Sequence, residues 1–273
     1  MHIRLLKSEK EYRACEEIQR EVWGAPSATA ELLAVIQNCG GVVLGAVEAG
    51  DVAGFLFALL ARRNGRPIHW SHMMAVRENF RDAGLGFRMK LLHRRVALAG
   101  GIRSICWTYD PLQARNASLN VRRLGVVVEQ YVPNYYGDFP SAIEKGLPSD
   151  RFVVRWNLNS SRVMRRLKGA LPQSRGSSLP RINETRRDAD GLLENGKISW
   201  SRSERLLAVE IPASTDAMRA SAPDLARRWR METRRIFQAY GTKSYRIAGF
   251  ERENSTGGCR CYYILSRRIG RRC

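Results

Sequence analysis

The sequence predicts an α/β fold followed by a smaller α+β segment. Three observations lead there. A strand-like run over residues 68–76 is followed by a turn of small residues and an amphipathic helix, an apolar hairpin precedes it, and a strand, helix, strand, strand pattern returns after residue 204.

The hairpin comes first. Val42 to Val47 and Val52 to Leu60 are two apolar runs separated by Glu48-Ala49-Gly50-Asp51. The polar interruption at the centre argues for two buried strands and against a membrane span. Next, Ile68-His69-Trp70-Ser71-His72-Met73-Met74-Ala75-Val76 lacks Gly and Pro and reads as a buried strand. From Leu85, the residues Leu85, Met89, Leu92 and Val96 recur at helical spacing with Arg88, Lys90, Arg94 and Arg95 between them, and Gly100-Gly101 marks a stop.

Between strand and helix lies Arg81-Asp82-Ala83-Gly84-Leu85-Gly86. Small residues at 83, 84 and 86 let a ligand approach the backbone, and the first N–H groups of a helix have no internal partner. The pattern suits a pyrophosphate at a helix N-terminus, and equally a tight turn with close helix packing. It lacks the Lys-Ser/Thr end of a P-loop and the third glycine of a dinucleotide fingerprint.

Strand, Arg-x-x-Gly-x-Gly turn and helix together resemble motif A of the GNAT superfamily of acyl-CoA N-acyltransferases. Residues 102–109 supply the strand that follows, and Asn116-Ala117-Ser118-Leu119-Asn120-Val121-Arg122-Arg123-Leu124-Gly125 resembles the helix and turn of motif B. The likeness spans about residues 3–158. A narrower likeness, on Ser71-His72-Met73, Trp107 to Leu112, Asn116-Ala117, Tyr135-Tyr136-Gly137 and Pro148 to Phe152, points to a branch of GNAT acetyltransferases with a C-terminal extension.

The resemblance implies a GNAT-like mixed, mostly antiparallel central sheet flanked by helices. It also implies transfer of an acyl group, acetyl or succinyl, from acetyl-CoA or another acyl-CoA to the amino group of a small molecule such as an amino acid. Arg81, Asp82, Ala83, Gly84 and Gly86 would hold the cofactor, with backbone groups near Met74 and Val76 at the acyl carbonyl and Asn116 as a further contact. His72 is the candidate base, sharing strand parity with Met74 and Val76. The tyrosine that commonly serves as acid in motif B is replaced here by Val121, leaving Tyr135, Tyr136, Tyr109 or water, with Tyr136 as the choice. Asp110 either orients an amine or begins a turn with Pro111.

Composition sets outer limits. The opening Met1 to Lys10 lacks the apolar core of a secretory signal, and a cytoplasmic protein without membrane contact is expected. Six cysteines, at 15, 39, 106, 259, 261 and 273, show no paired Cys-x-x-Cys spacing, so neither a zinc ribbon nor a disulfide framework is expected. His69 and His72 point to opposite strand faces, which opposes joint metal ligation. Residues 1–158 carry 21 Lys+Arg against 15 Asp+Glu, whereas 159–273 carry 25 against 11.

Residues 159–203, with Ser174 to Ser178 and the pairs Arg165-Arg166 and Arg186-Arg187, read as a flexible basic linker. Residues 204–273 read as a small extension that packs on the first domain or forms a homodimer contact. In it, Leu225, Trp229, Ile236 and Tyr240 form a helical stripe opposite Arg227, Arg230 and Arg234, ending at Gly241. Two other functions compete with catalysis. The basic tail could bind nucleic acid with Trp200, Trp229 and Tyr262 stacking on bases, although the excess of Arg over Lys runs through the whole chain. Alternatively, the fold could bind acyl-CoA without turnover.

Overall fold

A computed structural model describes residues 1–137, 146–171, 176–255 and 258–267. Ser174 and Cys273 lie outside them. In chain order the elements are β1 (His2–Leu5), α1 (Glu9–Trp23), α2 (Ala30–Asn38), β2 (Val42–Glu48), β3 (Asp51–Arg63), β4 (Arg66–Val76), α3 (Leu85–Ala99), β5 (Ser104–Tyr109), α4 (Ala114–Ala117), β6 (Val127–Val132), β7 (Arg151–Asn157), α5 (Ser161–Leu167), β8 (Asn183–Arg187), β9 (Leu193–Ile198), β10 (Leu206–Ile211), α6 (Asp216–Ser221), α7 (Pro223–Thr242), β11 (Tyr245–Ser255) and β12 (Gly258–Arg267). The largest sheet has the order β1-β2-β3-β4-β5-β7-β6, with β1 through β4 antiparallel in turn and β4 parallel to β5. The expected α/β class, with a mostly antiparallel sheet flanked by helices, is borne out.

The chain divides into two compact units, residues 1–107 with 155–160, and residues 108–137, 146–154 and 161–267. The division therefore falls after Trp107 and differs from the expected boundary at 158.

In the first unit the strands alternate between two cores. Phe55 and Phe57 of β3 face one side with Leu6, Ile18 and Leu33, while Leu56 faces the other with Val42, Leu44 and Met89. This period of two is the pleat expressed as burial. Helix α1 starts at a capping box: the Glu11 N–H donates to Ser8 Oγ (3.4 Å), and the Ser8 N–H donates to the Glu11 carboxylate (3.0 Å). Helix α2 is capped by Thr29, whose hydroxyl accepts from the Leu32 N–H.

The second unit holds a three-stranded sheet, β10-β12-β11, and a hairpin of β8 with β9. That hairpin and α5 lie in the segment expected to be a linker, which instead carries regular structure. Its polar residues act as anchors. Asn183 is buried and exchanges hydrogen bonds with the Glu210 backbone (2.9 Å each way), and the Leu193 carbonyl accepts from Trp229 Nε1 at 2.7 Å.

Helix α7 runs to Thr242, one residue past the expected stop at Gly241, and Leu225 is only half buried. Its buried face includes Arg230, which was expected on the polar side. Arg230 is 1% exposed and donates two bonds to Asp110, at 2.8 and 2.6 Å. One turn further on, Arg234 makes a second bidentate pair with Asp150, at 2.9 and 2.6 Å. Both carboxylates come from the part of the chain before residue 158, so the C-terminal extension shares one compact unit with residues 108–137 and 146–154. Phe152, Phe237, Tyr263 and Phe250 form the aromatic core beneath these pairs.

Burial alone would raise the Asp110 pKa, but the charge and hydrogen bonds of Arg230 hold it below the ordinary value. Removing one member of a buried pair leaves a desolvated charge, which costs more than the pair contributes. Asp110→Ala should therefore lose about 3–5 kcal/mol of stability in urea unfolding. Glu9→Ala, which breaks the exposed Arg13 pair, should leave the urea midpoint nearly unchanged.

Candidate functional site

The strand, turn and helix expected to form the site all lie in the first unit. Strand β4 pairs with β3 along its length, but the register slips between Phe57↔Met73 and Ala58↔Ser71, so His72 is the extra residue of a β-bulge. The bulge changes which face each side chain takes. Met74 and Val76 pack with Met89 beneath α3, whereas Met73 joins the opposite core. The His72 ring lies 5.4 Å from that of Phe57, a member of that opposite core. The expected shared parity of His72 with Met74 and Val76 is therefore corrected. His72 keeps an exposed edge, while the protein packed around it lowers its pKa from the ordinary 6.5 and favours neutral imidazole.

Pairing of β4 with β5 covers only His69↔Ile105 and Trp70↔Cys106. Beyond Trp70, the end of β4 that carries Met74 and Val76 has no β5 partner in the ladder.

The turn is anchored at its entrance. Arg77 pairs with Glu17 and Glu21, each at 3.3 Å, and its N–H donates to the Ala53 carbonyl at 2.9 Å. After a short 3₁₀ turn at Glu78–Phe80, Asp82 and Gly84 both take left-handed backbone conformations, with φ of 65° and 71°. Gly84 is the N-cap of α3, and a Cβ built there meets nothing within 4 Å. Space thus does not require this glycine; its left-handed conformation favours it.

Unlike α1 and α2, α3 has no side-chain cap and no acidic residue in its first turn. The N–H groups of Leu85 and Gly86 point out of the helix end without an intrahelical acceptor, where the helix dipole favours an anion. Arg81, Asp82, Ala83 and Gly84 are exposed around them, and Arg81 Nε approaches the Val76 carbonyl at 3.4 Å.

Asn116 and Tyr136 belong to the second unit. Asn116 is exposed on α4, which continues as a π-helix over Ser118–Leu124 and stops at left-handed Gly125. Val121, at the expected tyrosine position, is fully buried. The Tyr136 hydroxyl lies 3.2 Å from Thr108 Oγ1, and its N–H donates to Ser149 Oγ at 2.9 Å. Arg151 sits over its ring at 5.1 Å. Tyr109 is buried against Tyr263, and Asp110 is committed to Arg230 and Arg219. Neither is presented to a ligand.

The structure also reveals a buried polar cluster beneath α3. Lys90, expected among the outward-facing basic residues, is 3% exposed. It donates to Ser71 Oγ at 3.0 Å and sits 3.8 Å from the Trp107 ring centre. Burial pushes its pKa down to about 7. One turn on, His93 Nε2 meets His69 Nδ1 at 3.0 Å. Burial lowers both histidines, while the nearby Gly40 backbone partly opposes the shift at His69 without making a hydrogen bond of normal geometry to Nε2. The spacing Lys90, His93, Ala97 was a sequence signal for this face, because all three lie on one helical stripe.

Among the described residues, no group of three or more His, Cys, Asp or Glu could hold a metal ion, and no helix is long and apolar enough to cross a membrane. Of the aromatic residues considered for base stacking, Trp229 and Tyr262 are buried, while Trp200 is exposed.

Several solved structures are similar to this chain. They include the acetyltransferase of GNAT family from Streptococcus pneumoniae, at 18% identity, covering 56% of this chain and 96% of that one, with a TM-score of 0.46. An aminoglycoside 6'-N-acetyltransferase complexed with coenzyme A is similar at 13% identity, covering 59% and 98%, with a TM-score of 0.46. The ribosomal-protein-S18-alanine N-acetyltransferase from Escherichia coli is similar at 15% identity, covering 59% and 95%, with a TM-score of 0.46. No family model matches the sequence, and no curated protein matches it.

The Lys90 shift has a defined sign. Its folded pKa, about 7, lies below the ordinary 10.5, so between those values the unfolded chain binds a proton that the folded chain does not. Stability should therefore rise with pH across that window, by up to about 1.4 kcal/mol per unit. Urea melts of Lys90→Met should lack this rise, and the variant should be at least as stable as wild type at pH 7.

Proposed function

We propose that this chain is an acyl-CoA-dependent N-acyltransferase that moves an acetyl or succinyl group to the amino group of a small molecule, such as an amino acid. The observation that carries the reading is the amino terminus of α3: an exposed helix end, without a side-chain cap, entered through left-handed Gly84 and lying directly after a bulged strand whose ladder to β5 has ended.

Each role follows from local chemistry. The Leu85 and Gly86 N–H groups bind the pyrophosphate of the acyl donor, and Ala83 and Gly84 allow it to approach the backbone. Arg81 adds positive charge, and Asp82 holds the left-handed turn that precedes Gly84. Backbone donors on the side of β4 that the β5 ladder leaves open, near Met74 and Val76, polarise the thioester carbonyl as it gains charge. Both side chains are occupied in the core beneath α3, which fixes that backbone. His72 accepts the proton from the attacking amine, and its lowered pKa keeps it in the required neutral form. The departing thiolate takes its proton from water. Attack forms the amide C–N bond and breaks the thioester C–S bond. The amine proton passes to His72, and CoA leaves as the thiol.

Ligand binding to the folded state raises apparent stability. CoA, acetyl-CoA and succinyl-CoA should each raise the melting temperature of the purified protein. Gly84→Trp should abolish the rise, since it places a bulky side chain at the open helix end and strains the left-handed backbone there. Absence of a shift with every thioester would refute the reading.

With an active acceptor, found by thiol release across an amino-acid panel, kcat/KM should fall on the acid side with a limb below pH 6.5. His72→Ala should lower the plateau by about 100-fold or more. A wild-type pH profile in the His72→Ala variant would remove His72 from the chemistry. A CoA-dependent shift without product from any amine would favour a non-catalytic acyl-CoA-binding protein.

A further inference from the structure

The second unit contains a cavity of about 450 Å³ that the proposed acyl transfer does not use. We infer that it binds a small amphiphilic anion, a carboxylate or phosphate monoester carrying an apolar group. Its walls are the β8–β9 hairpin, the segment that follows β10, and β12. The volume lies within the range of small-molecule sites.

Charge supplies the first argument. Arg181, Arg186, Arg187 and Arg260 line the cavity against a single carboxylate, Glu210. Glu210 is fully buried and already saturated: it accepts from Arg260 at 2.8 and 2.5 Å and from the Thr185 hydroxyl at 2.6 Å. Its negative charge therefore serves to orient Arg260. Arg181, on the same carboxylate, makes only a 3.7 Å contact. Arg186 is matched by Glu194 from outside the lining, while the lining itself carries four guanidinium groups and one carboxylate. Guanidinium groups held by a carboxylate behind them present a planar fork suited to another carboxylate or a phosphate.

Shape and rigidity supply the second. Leu192, Pro212 and Met218 form apolar wall, which suits a ligand with a hydrocarbon body more than a bare inorganic ion. The hairpin wall is pinned to α7 by Trp229 to the Leu193 carbonyl at 2.7 Å, Asn195 to Glu232 at 2.8 Å, and Arg228 to Glu194 at 2.6 Å. A concave site with fixed walls favours a small ligand over a nucleic-acid strand, for which Trp229 and Tyr262 offer no exposed ring.

Titration calorimetry of the full chain tests this with 4-phenylbutyrate and hexyl phosphate as probes. Inorganic phosphate, 4-phenylbutanamide and a short single-stranded oligonucleotide are the comparators. Binding of either amphiphilic anion, at least about tenfold tighter than phosphate or the amide, is the expected result. The same binding should persist in Gly84→Trp, which separates this site from α3. It should weaken by about tenfold or more in Arg181→Gln, which removes a guanidinium while leaving Arg260 on Glu210. Ala213→Trp, at an exposed lining position, should occlude the cavity and abolish binding even if Arg181→Gln does not fold. The inference is overturned if neither anion binds, if the amide binds equally well, if Ala213→Trp leaves binding intact, if Gly84→Trp removes it, or if only the oligonucleotide binds.

Discussion

One extra residue in β4 organises the first unit. Because side chains alternate along a strand, the bulge at His72 lets Ser71 and Met74, three residues apart, both lie beneath α3, while His72 and Met73 both turn to the other core. A regular strand could not hold Lys90 against Ser71 and also place Met74 and Val76 beside Met89. The bulge also comes just after the last β4–β5 pair, so it coincides with the place where the sheet opens. The turn beyond it enters α3 through two left-handed residues and leaves the helix end uncapped. Bulge, opening and helix end are thus consecutive consequences of about fifteen residues of chain.

The second unit solves a different problem, the disposal of arginine. Arg makes up most of the basic residues, and many could not lie at a surface without raising its charge. Asp110 takes Arg230 and Arg219, Asp150 takes Arg234, and Glu210 takes Arg260. Tyr131 also donates to Asp150, so that carboxylate is shared between a guanidinium and a phenol. Such pairs contribute little net stability compared with well-packed apolar groups, but each fixes two distant segments in one arrangement. They join the C-terminal extension to Asp110 and Asp150, earlier in the chain.

Much of this was legible in the sequence, and the failures have physical causes. The hairpin, β4, the Arg81–Gly86 turn and α3 could be read because apolar periodicity and glycine placement act locally. Periodicity places Lys90 and Arg230 on polar faces because it counts a charged residue as exposed, whereas their burial is decided by Ser71 and Asp110, neither close in sequence. Residues 159–203 read as linker because their apolar content is low. Their order comes from Asn183, Thr185 and the Leu193 carbonyl bonding to residues of β10 and α7. Strand parity misplaces the face of His72 because a bulge has no signature in a run such as Ser71-His72-Met73, where either register keeps apolar residues inside.

The central claim is that the amino terminus of α3 holds the pyrophosphate of the acyl donor. Amide hydrogen exchange, measured on the protein alone and with saturating CoA, tests it most directly, because a bound phosphate would occupy the N–H groups that the helix leaves without acceptors. Exchange over Gly84, Leu85 and Gly86 should slow when CoA is added and remain unchanged in Gly84→Trp. Bound CoA that slows exchange only in other segments would contradict the claim.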